Sequence, residues 1–295
     1  MDINFEYFKI FYYVAKYKNI TKASVALGSN QPNVTRILKL LESQLNCRLF
    51  VREARGVSLT EEGERLYSHV EVACRHLLGV QEAISSHEMA GAGTVEIGAT
   101  ESALHLFLLE AMGDFKVRYP KIRIKVHNHT TPEILKYLAG GKLDFAVITT
   151  PFEVPKSFRC ERILSFRELL AGGMQYSYLA QEKMQLDRLF DYPWVGLGKG
   201  TATYEFYKKF FREHNAEIEL DMEVATSDLL IPLICNNLGI GFVPEKLALP
   251  LFKEKKLVRI DLDCDVPARA IELVSDRGRS MAADTFYNYL KCRKN

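Results

Sequence analysis

No stretch of about 18 or more apolar residues occurs in the chain, so a membrane-spanning helix is not expected. The start, Met1-Asp2-Ile3-Asn4-Phe5-Glu6, lacks the basic cluster and apolar core of a secretory signal. A cytoplasmic protein with no membrane partner is the expectation. Six cysteines (Cys47, Cys74, Cys160, Cys235, Cys264, Cys292) are scattered, with no C-x-x-C and no Cys/His ligand spacing. A disulfide framework or structural metal is therefore not expected. These cysteines read as small buried hydrophobes, with a redox-sensing thiol as the sharper alternative. Also missing are G-x-S-x-G, H-E-x-x-H, G-x-G-x-x-G and the P-loop, so neither an enzyme nor a bound cofactor is expected. His127 and His129 share a strand face, but two lone histidines do not make an acid–base site. No internal repeat or low-complexity tract is evident.

What is present fits a multidomain globular protein. At 295 residues the chain should form two or three units, and 47% hydrophobic with 26% charged residues is ordinary for such a protein. The net charge of +2 is unevenly spread. Residues 1–59 carry nine Lys/Arg against four Asp/Glu (+5), residues 60–90 two against six (−4), and residues 91–295 28 against 27 (+1). The basic excess lies where a polyanion would bind, although five charges alone are as often a solvated face.

The first third reads as helix. Asn4 can cap a segment with Phe8, Phe11, Tyr12 and Ala15 on one face. Asn19-Ile20-Thr21 interrupts it, and Thr21 is read as the cap of a short helix over Lys22–Leu27. After the Gly28-Ser29 turn, Asn30 caps a third helix, with Pro32 tolerated in its first turn. That helix buries Val34, Ile37, Leu38, Leu41 and Leu45 and leaves Gln31, Asn33, Thr35, Arg36 and Lys39 free. Leu49 to Leu59 then suits a small hairpin with a polar tip. Helix, helix, turn, helix and hairpin make a winged helix-turn-helix, whose second motif helix fits the major groove.

Thr60 caps the next helix, with Glu61 and Glu62 at its positive end. Leu66, Val70, Ala73, Leu77, Val80 and Ile84 form a heptad seam suited to dimerisation. The alternative is a helix lying on the protein's own core. Ala90-Gly91-Ala92-Gly93 reads as a hinge. Beyond it the pattern is β-α-β: strands at 95–99, 122–126 and 144–148, and helices at 102–119 and 133–139. A second α/β unit follows, with helices at 204–214 and 229–236, and the chain ends in a strand near 271–275 and a helix at 281–291.

These residues resemble the LysR-type transcriptional regulators over nearly the whole chain. The most specific stretches are Asn19 to Ser24, Asn30 to Arg36, Leu40-Leu41-Glu42, Leu49-Phe50 and Gly56-Val57-Ser58-Leu59-Thr60-Glu61-Glu62-Gly63. Looser matches are Phe115 to Pro120, Gly141 to Ala146 and Asn237 to Pro244. Asn30, Asn33 and Thr35 stand where the family usually has Ser, Ala and Ser. Ala171 to Tyr176 lacks the family's usual Pro-containing loop.

The resemblance implies an α/β protein in three parts. An all-α winged helix-turn-helix (1–59) is followed by a long linker and dimerisation helix with its hinge (60–90). Then comes a two-lobed α/β effector domain (91–295) similar to periplasmic binding proteins. It implies promoter DNA as partner, contacted by Thr21, Asn30, Gln31, Pro32, Asn33, Thr35, Arg36, Lys39, Arg52 and Arg55. It also implies a homodimer joined through the linker helix, assembling into a tetramer, with RNA polymerase as a further partner. A small-molecule effector would sit between the lobes, near Thr100, Glu101, Ser102, Thr130, Thr131, Thr149, Lys199, Gly200, Thr201, Thr203 and Thr226. Hydroxyls and free N–H groups at helix starts suit a carboxylate. Each threonine could equally be a plain cap, and Lys199 a solvated charge. A DNA-binding regulator without a ligand stays open as an alternative. A small-molecule-binding transport component or an enzyme is disfavoured by the absences above.

Overall fold

The computed structural model describes residues 3–53, 56–85, 92–276 and 279–293, with the side chains of 75, 76 and 78–85 outside the description. It divides into two compact units, Met1–Met89 and Ala90–Asn295.

In the first unit, helix α1 (Phe5–Tyr17) starts at Asn4, whose side chain accepts the Glu6 N–H, and stops at Lys18 in the left-handed region. Helix α2 (Ile20–Ala26) is capped by Asn19, whose Oδ1 accepts the Lys22 N–H at 2.9 Å. This corrects the expectation that Thr21 is the cap: the helix begins one residue after Asn19. Thr21 instead lies within α2, its hydroxyl donating to Gln31 Oε1 at 3.4 Å. Helix α3 (Gln31–Leu45) is capped by Asn30, as expected, and ends on Asn46 in the left-handed region. Its i, i+3, i+4, i+7 residues Val34, Ile37, Leu38 and Leu41 are buried against Phe11, Val14 and Ala23.

Strands β1 (Phe50–Glu53) and β2 (Gly56–Leu59) form the antiparallel wing. Glu42 on α3 ties the wing down by accepting the Leu49 and Phe50 N–H groups at 2.7 and 3.2 Å. Two glycines are required here by close approach. A Cβ on Gly56 would lie 2.4 Å from the Lys18 carbonyl oxygen, and one on Gly63 would lie 2.2 Å from that of Leu49. Helix α4 (Glu61–Ser85) starts at Thr60, whose hydroxyl accepts the Gly63 N–H, with Glu61, Glu62 and Glu64 in the first turn. Those carboxylates complement the positive end of the helix dipole.

The second unit has two lobes. In the first, a five-stranded sheet runs in the order β4-β3-β5-β12-β6. Strands β3 (Gly93–Ala99), β4 (Ile122–Asn128) and β5 (Phe145–Thr149) are parallel to one another. Strands β6 (Arg159–Phe166) and β12 (Arg269–Ser275) pair antiparallel, and β12 is also antiparallel to β5. The helix expected over 102–119 is a run of α5 (Glu101–Ala103), a π-helical turn (Leu104–Leu108) and α6 (Leu109–Arg118). Helix α7 (Thr131–Ala139) follows β4. The C-terminal helix α11 (Met281–Cys292) inserts Phe286 beside Phe115 and Phe145.

The second lobe is built on β7 (Glu168–Gly173), flanked by β10 (Ile240–Pro244) and β11 (Leu257–Ile260). Strands β8 (Val195–Leu197) and β9 (Met222–Val224) extend this sheet through a Trp194–Ile240 bridge. Helix α8 (Ala202–Glu213) follows β8, and α9 (Leu230–Cys235) follows a short 3-10 turn, Ser227–Leu229. Helix α10 (Glu245–Lys253) links β10 to β11. The chain crosses between lobes twice, from β6 to β7 and from β11 to β12. Both crossings meet where Phe166 pairs with Arg269. Among the described residues no helix is long and apolar enough to cross a membrane.

Candidate functional site

Two surfaces carry the expected site residues. On the first unit, Gln31, Pro32, Thr35, Arg36 and Lys39 form one continuous surface on the N-terminal half of α3. A hydrogen-bond chain sets its geometry. Asn33 donates to the Ser29 hydroxyl at 3.2 Å, and Asn33 Oδ1 accepts from Arg36 Nη2, also at 3.2 Å. Asn33 is thus half-buried and steers Arg36, while Asn30 is occupied as a cap. Thr35 bonds back to the Gln31 carbonyl. Arg52 is exposed on the wing, and Arg55 lies outside the described residues.

The seam on α4 is split. Val70 is 7% exposed and packs in the unit's own core together with Leu66, Tyr67 and Cys74; Tyr67 stacks on Tyr12 at 6.1 Å. Ala73 is half-buried. Leu77, in contrast, is 53% exposed. The side chains of Val80 and Ile84 lie outside the described residues.

The second surface is a cleft between the lobes of the second unit, about 210 Å³ in volume. One wall comes from the carboxyl ends of β3, β4 and β5: Thr100, Glu101 and Ser102; Asn128 to Thr131 and Glu133; and Thr149. The other comes from Leu197 at the end of β8, Thr201 to Thr203 at the start of α8, and Ala225 to Ser227 after β9. Ligands of open α/β sheets bind outside the carboxyl ends of strands in this way. Nine of the eleven expected effector residues line the cleft. Lys199 and Gly200 do not; both are exposed on the loop before Thr201.

The hydroxyls are not equivalent. Thr201 is committed as a cap, accepting the Tyr204 N–H and donating to the Gly198 carbonyl. Thr130 donates to Glu133 at 2.7 Å, closing a capping box. Hydrogen bonds from the Thr130 hydroxyl and then its backbone N–H hold the Glu133 carboxyl below its ordinary value. Glu101 is paired with His105, 2.9 Å away on the π-helical turn. Ser102 and Ser227 meet across the cleft at 3.3 Å. Thr100 Oγ1 is buried without a hydrogen-bond partner, the one such side-chain atom among the described residues.

Beneath the cleft lies a network that the sequence did not announce. Arg269, 2% exposed, donates through Nε to the Thr150 carbonyl at 2.7 Å and through Nη1 to Glu168 Oε2 at 2.9 Å. Its Nη2 reaches Thr149 Oγ1 at 3.1 Å and Thr203 Oγ1 at 3.0 Å. Tyr207 donates to the same Glu168 oxygen at 2.7 Å. Burial, and next the adjacent Glu168 charge, push the Tyr207 phenol well above its ordinary value, so it stays a donor. The available signal was a charge at the head of each of two largely apolar strands, Glu168-Leu169-Leu170 and Arg269-Ala270-Ile271.

Sequence comparison identifies residues 90–294 with the LysR substrate binding domain and residues 5–64 with the bacterial regulatory helix-turn-helix proteins of the lysR family. The chain belongs to the LysR family. It is a DNA-binding transcriptional regulator with an effector-binding domain. Its relatives include the HTH-type transcriptional regulator YofA of Bacillus velezensis, 28% identical over 84% of this chain and 83% of that protein. Among solved structures, full-length OxyR from Pseudomonas aeruginosa is similar, with a TM-score of 0.72 and 15% identity, over 99% of this chain and 95% of that one. Full-length CbnR complexed with its target DNA matches at a TM-score of 0.56 and 16% identity, over 99% and 100% of the two chains. The LysR regulator described here therefore shares that fold end to end.

Proposed function

We propose that this LysR regulator reads promoter DNA with the N-terminal half of α3 and with the wing, and responds to a small effector held in the cleft. Gln31, Thr35, Arg36 and Lys39 face the major groove, and Arg52 reaches the phosphate backbone. Two chains pair through the outer half of α4, and two dimers join into a tetramer acting with RNA polymerase on DNA in the cytoplasm.

The observation that carries the sensing half is the chemistry of the cleft wall. Hydroxyls from both lobes converge at the starts of α7 and α8, and Thr100 keeps a buried hydroxyl unpartnered. Orphaned buried polar groups cost free energy, which a ligand with a matching acceptor relieves. Free N–H groups at helix starts favour an anion such as a carboxylate. A ligand shifts the lobe equilibrium only by binding its forms unequally, and the two strand crossings paired at Phe166 and Arg269 are the covalent links through which the lobes would turn.

Footprinting of the full chain on the intergenic region beside its own gene tests this, with and without a panel of small organic acids. A protected imperfect palindrome whose pattern changes with one acid is the expected result. A footprint indifferent to every metabolite fraction of the native cell would leave a regulator without a ligand.

A further inference from the structure

Arg269 makes an unusual use of one nitrogen. Nη2 carries two N–H bonds, and its two partners are the hydroxyl of Thr149 in one lobe and that of Thr203 in the other, at 3.1 and 3.0 Å. Nε and one N–H of Nη1 are anchored on Thr150 and Glu168, which holds the orientation of the fork. A hydroxyl that accepts a hydrogen bond through one lone pair directs its own O–H elsewhere. Neither Thr149 nor Thr203 has an acceptor for that O–H among the described residues, and both line the cleft. Their hydrogens are therefore free to turn toward the cavity, one from each lobe.

We propose that Arg269 is a positioning residue that sets the specificity of the cleft: it presets Thr149 and Thr203 as paired donors that select a ligand carrying an anionic acceptor oxygen. This rests on the cleft being the effector site. The guanidinium does not touch the ligand. Its charge is matched by Glu168, and its effect passes through the direction it imposes on the two hydroxyls. Because the pair spans both lobes, one oxygen bridging it joins the lobes directly. The same oxygen would find the unpartnered Thr100 hydroxyl on the first wall. Hydrogen bonds to a charged acceptor are about twice as strong as neutral ones, so acetate is preferred over its neutral isostere acetamide.

The test titrates acetate and acetamide into the full-length protein while following the backbone amide signals of residues 100–102 and 201–203. In the unmodified chain acetate shifts these signals and acetamide does so only at much higher concentration. In Thr149→Val/Thr203→Val acetate binds at least about tenfold more weakly and the preference over acetamide disappears. Thr149→Ser/Thr203→Ser, which keeps both hydroxyls, restores binding and preference. Glu168→Gln/Arg269→Gln, which removes both charges together, keeps the fold but loses the preference. If the Val pair or the Gln pair retains the preference, the cleft remains the site and the role given to Arg269 is overturned. If acetate leaves these signals unmoved in the parent chain, the cleft is not an anion site and the role given to Arg269 falls, while the reading of the cleft as an effector site is decided separately by the footprint.

Discussion

Arg269 Nη1 lies 2.9 Å from Glu168 Oε2 with both side chains almost wholly buried, 1% and 5% exposed, although the two residues stand on strands of different lobes. The pair closes over the point where the chain passes from one lobe to the other, and Phe166 and Phe206 rings lie 5.6 and 5.3 Å from the guanidinium. Desolvating two ions is costly, and four directed hydrogen bonds offset that cost only while all partners stay in place.

Glu168→Ala should therefore destabilise the second unit by about 3–5 kcal/mol, because it strands a buried guanidinium. Replacing both partners, as in Glu168→Gln/Arg269→Gln, should cost clearly less. Trp194 is the only tryptophan and is 2% exposed, so its fluorescence during denaturation reports this unit alone. Equal losses for the single and double replacements would show that the pair is not a coupled unit.

Gly63→Ala places a Cβ 2.2 Å from the Leu49 carbonyl, a backbone atom that cannot step aside cheaply. The wing should be displaced from the start of α4, with DNA affinity falling while α3 stays folded. Amide signals of residues 49–60 should move and those of 34–41 should not. Uniform broadening of both sets would mean that the whole unit unfolds.

Arg36→Ala should cost about 1–3 kcal/mol of discrimination if the guanidinium meets a base edge. Asn33→Ala releases Arg36 from its 3.2 Å hydrogen bond without removing its charge. It should alter sequence preference more than overall affinity. Gel shifts on promoter and unrelated DNA at two salt concentrations distinguish the two effects, and a parallel loss on all DNA would assign Arg36 to phosphate alone.

Leu77→Glu changes an exposed residue and should leave the first unit folded while weakening self-association. Val70→Glu instead puts a charge into the core and should unfold the unit. Light scattering paired with circular dichroism separates the outcomes. An unaltered oligomer in Leu77→Glu would place the contact elsewhere.

Glu133 makes a pH-dependent contribution. Its carboxyl is held below the ordinary glutamate range, first by the Thr130 hydroxyl and then by the Thr130 backbone N–H. A depressed folded pKa means stabilisation that is present above the unfolded value and lost as pH falls through the folded one. Glu133→Gln should therefore differ from the parent at neutral pH and converge with it in acid. A stability gap that persists unchanged at low pH would refute the linkage.

Local signals were legible in the sequence and distant ones were not. Asn4, Asn30, Thr60 and the apolar stripe of α3 act within a few residues, where spacing alone fixes the geometry. Two candidate caps stood two residues apart at Asn19 and Thr21, and only the backbone path decides between them. The residues of the cleft wall came from the family resemblance, since no spacing of their own brings positions 100, 130, 149, 201 and 226 together. Of the two readings open for Lys199, the exposed charge fits its place on the loop before Thr201, away from the cleft wall. The Arg269–Glu168 pair joins positions 101 residues apart, and no periodicity encodes such a meeting. The repeat of α4 allows either a dimer seam or a core-facing stripe, and it serves the unit's own core at Val70 while Leu77 is exposed.

That division of α4 has a mechanical meaning. The helix is seated among the DNA-reading elements by Val70 and Cys74 and runs on unbroken to Ser85, so no swivel separates the reader from the outer half. Its 25 residues span about 37 Å, close to one turn of duplex DNA. In a dimer joined through this helix, the phase between two half-sites is a length cut into the protein. One residue inserted after Cys74 would rotate everything beyond it by about 100°. Such a chain would still hold single half-sites but lose the phase its promoter presents. About three base pairs added to or taken from the spacer would recover that angle, but they would also shift the half-sites by about 10 Å, against about 1.5 Å for the inserted residue.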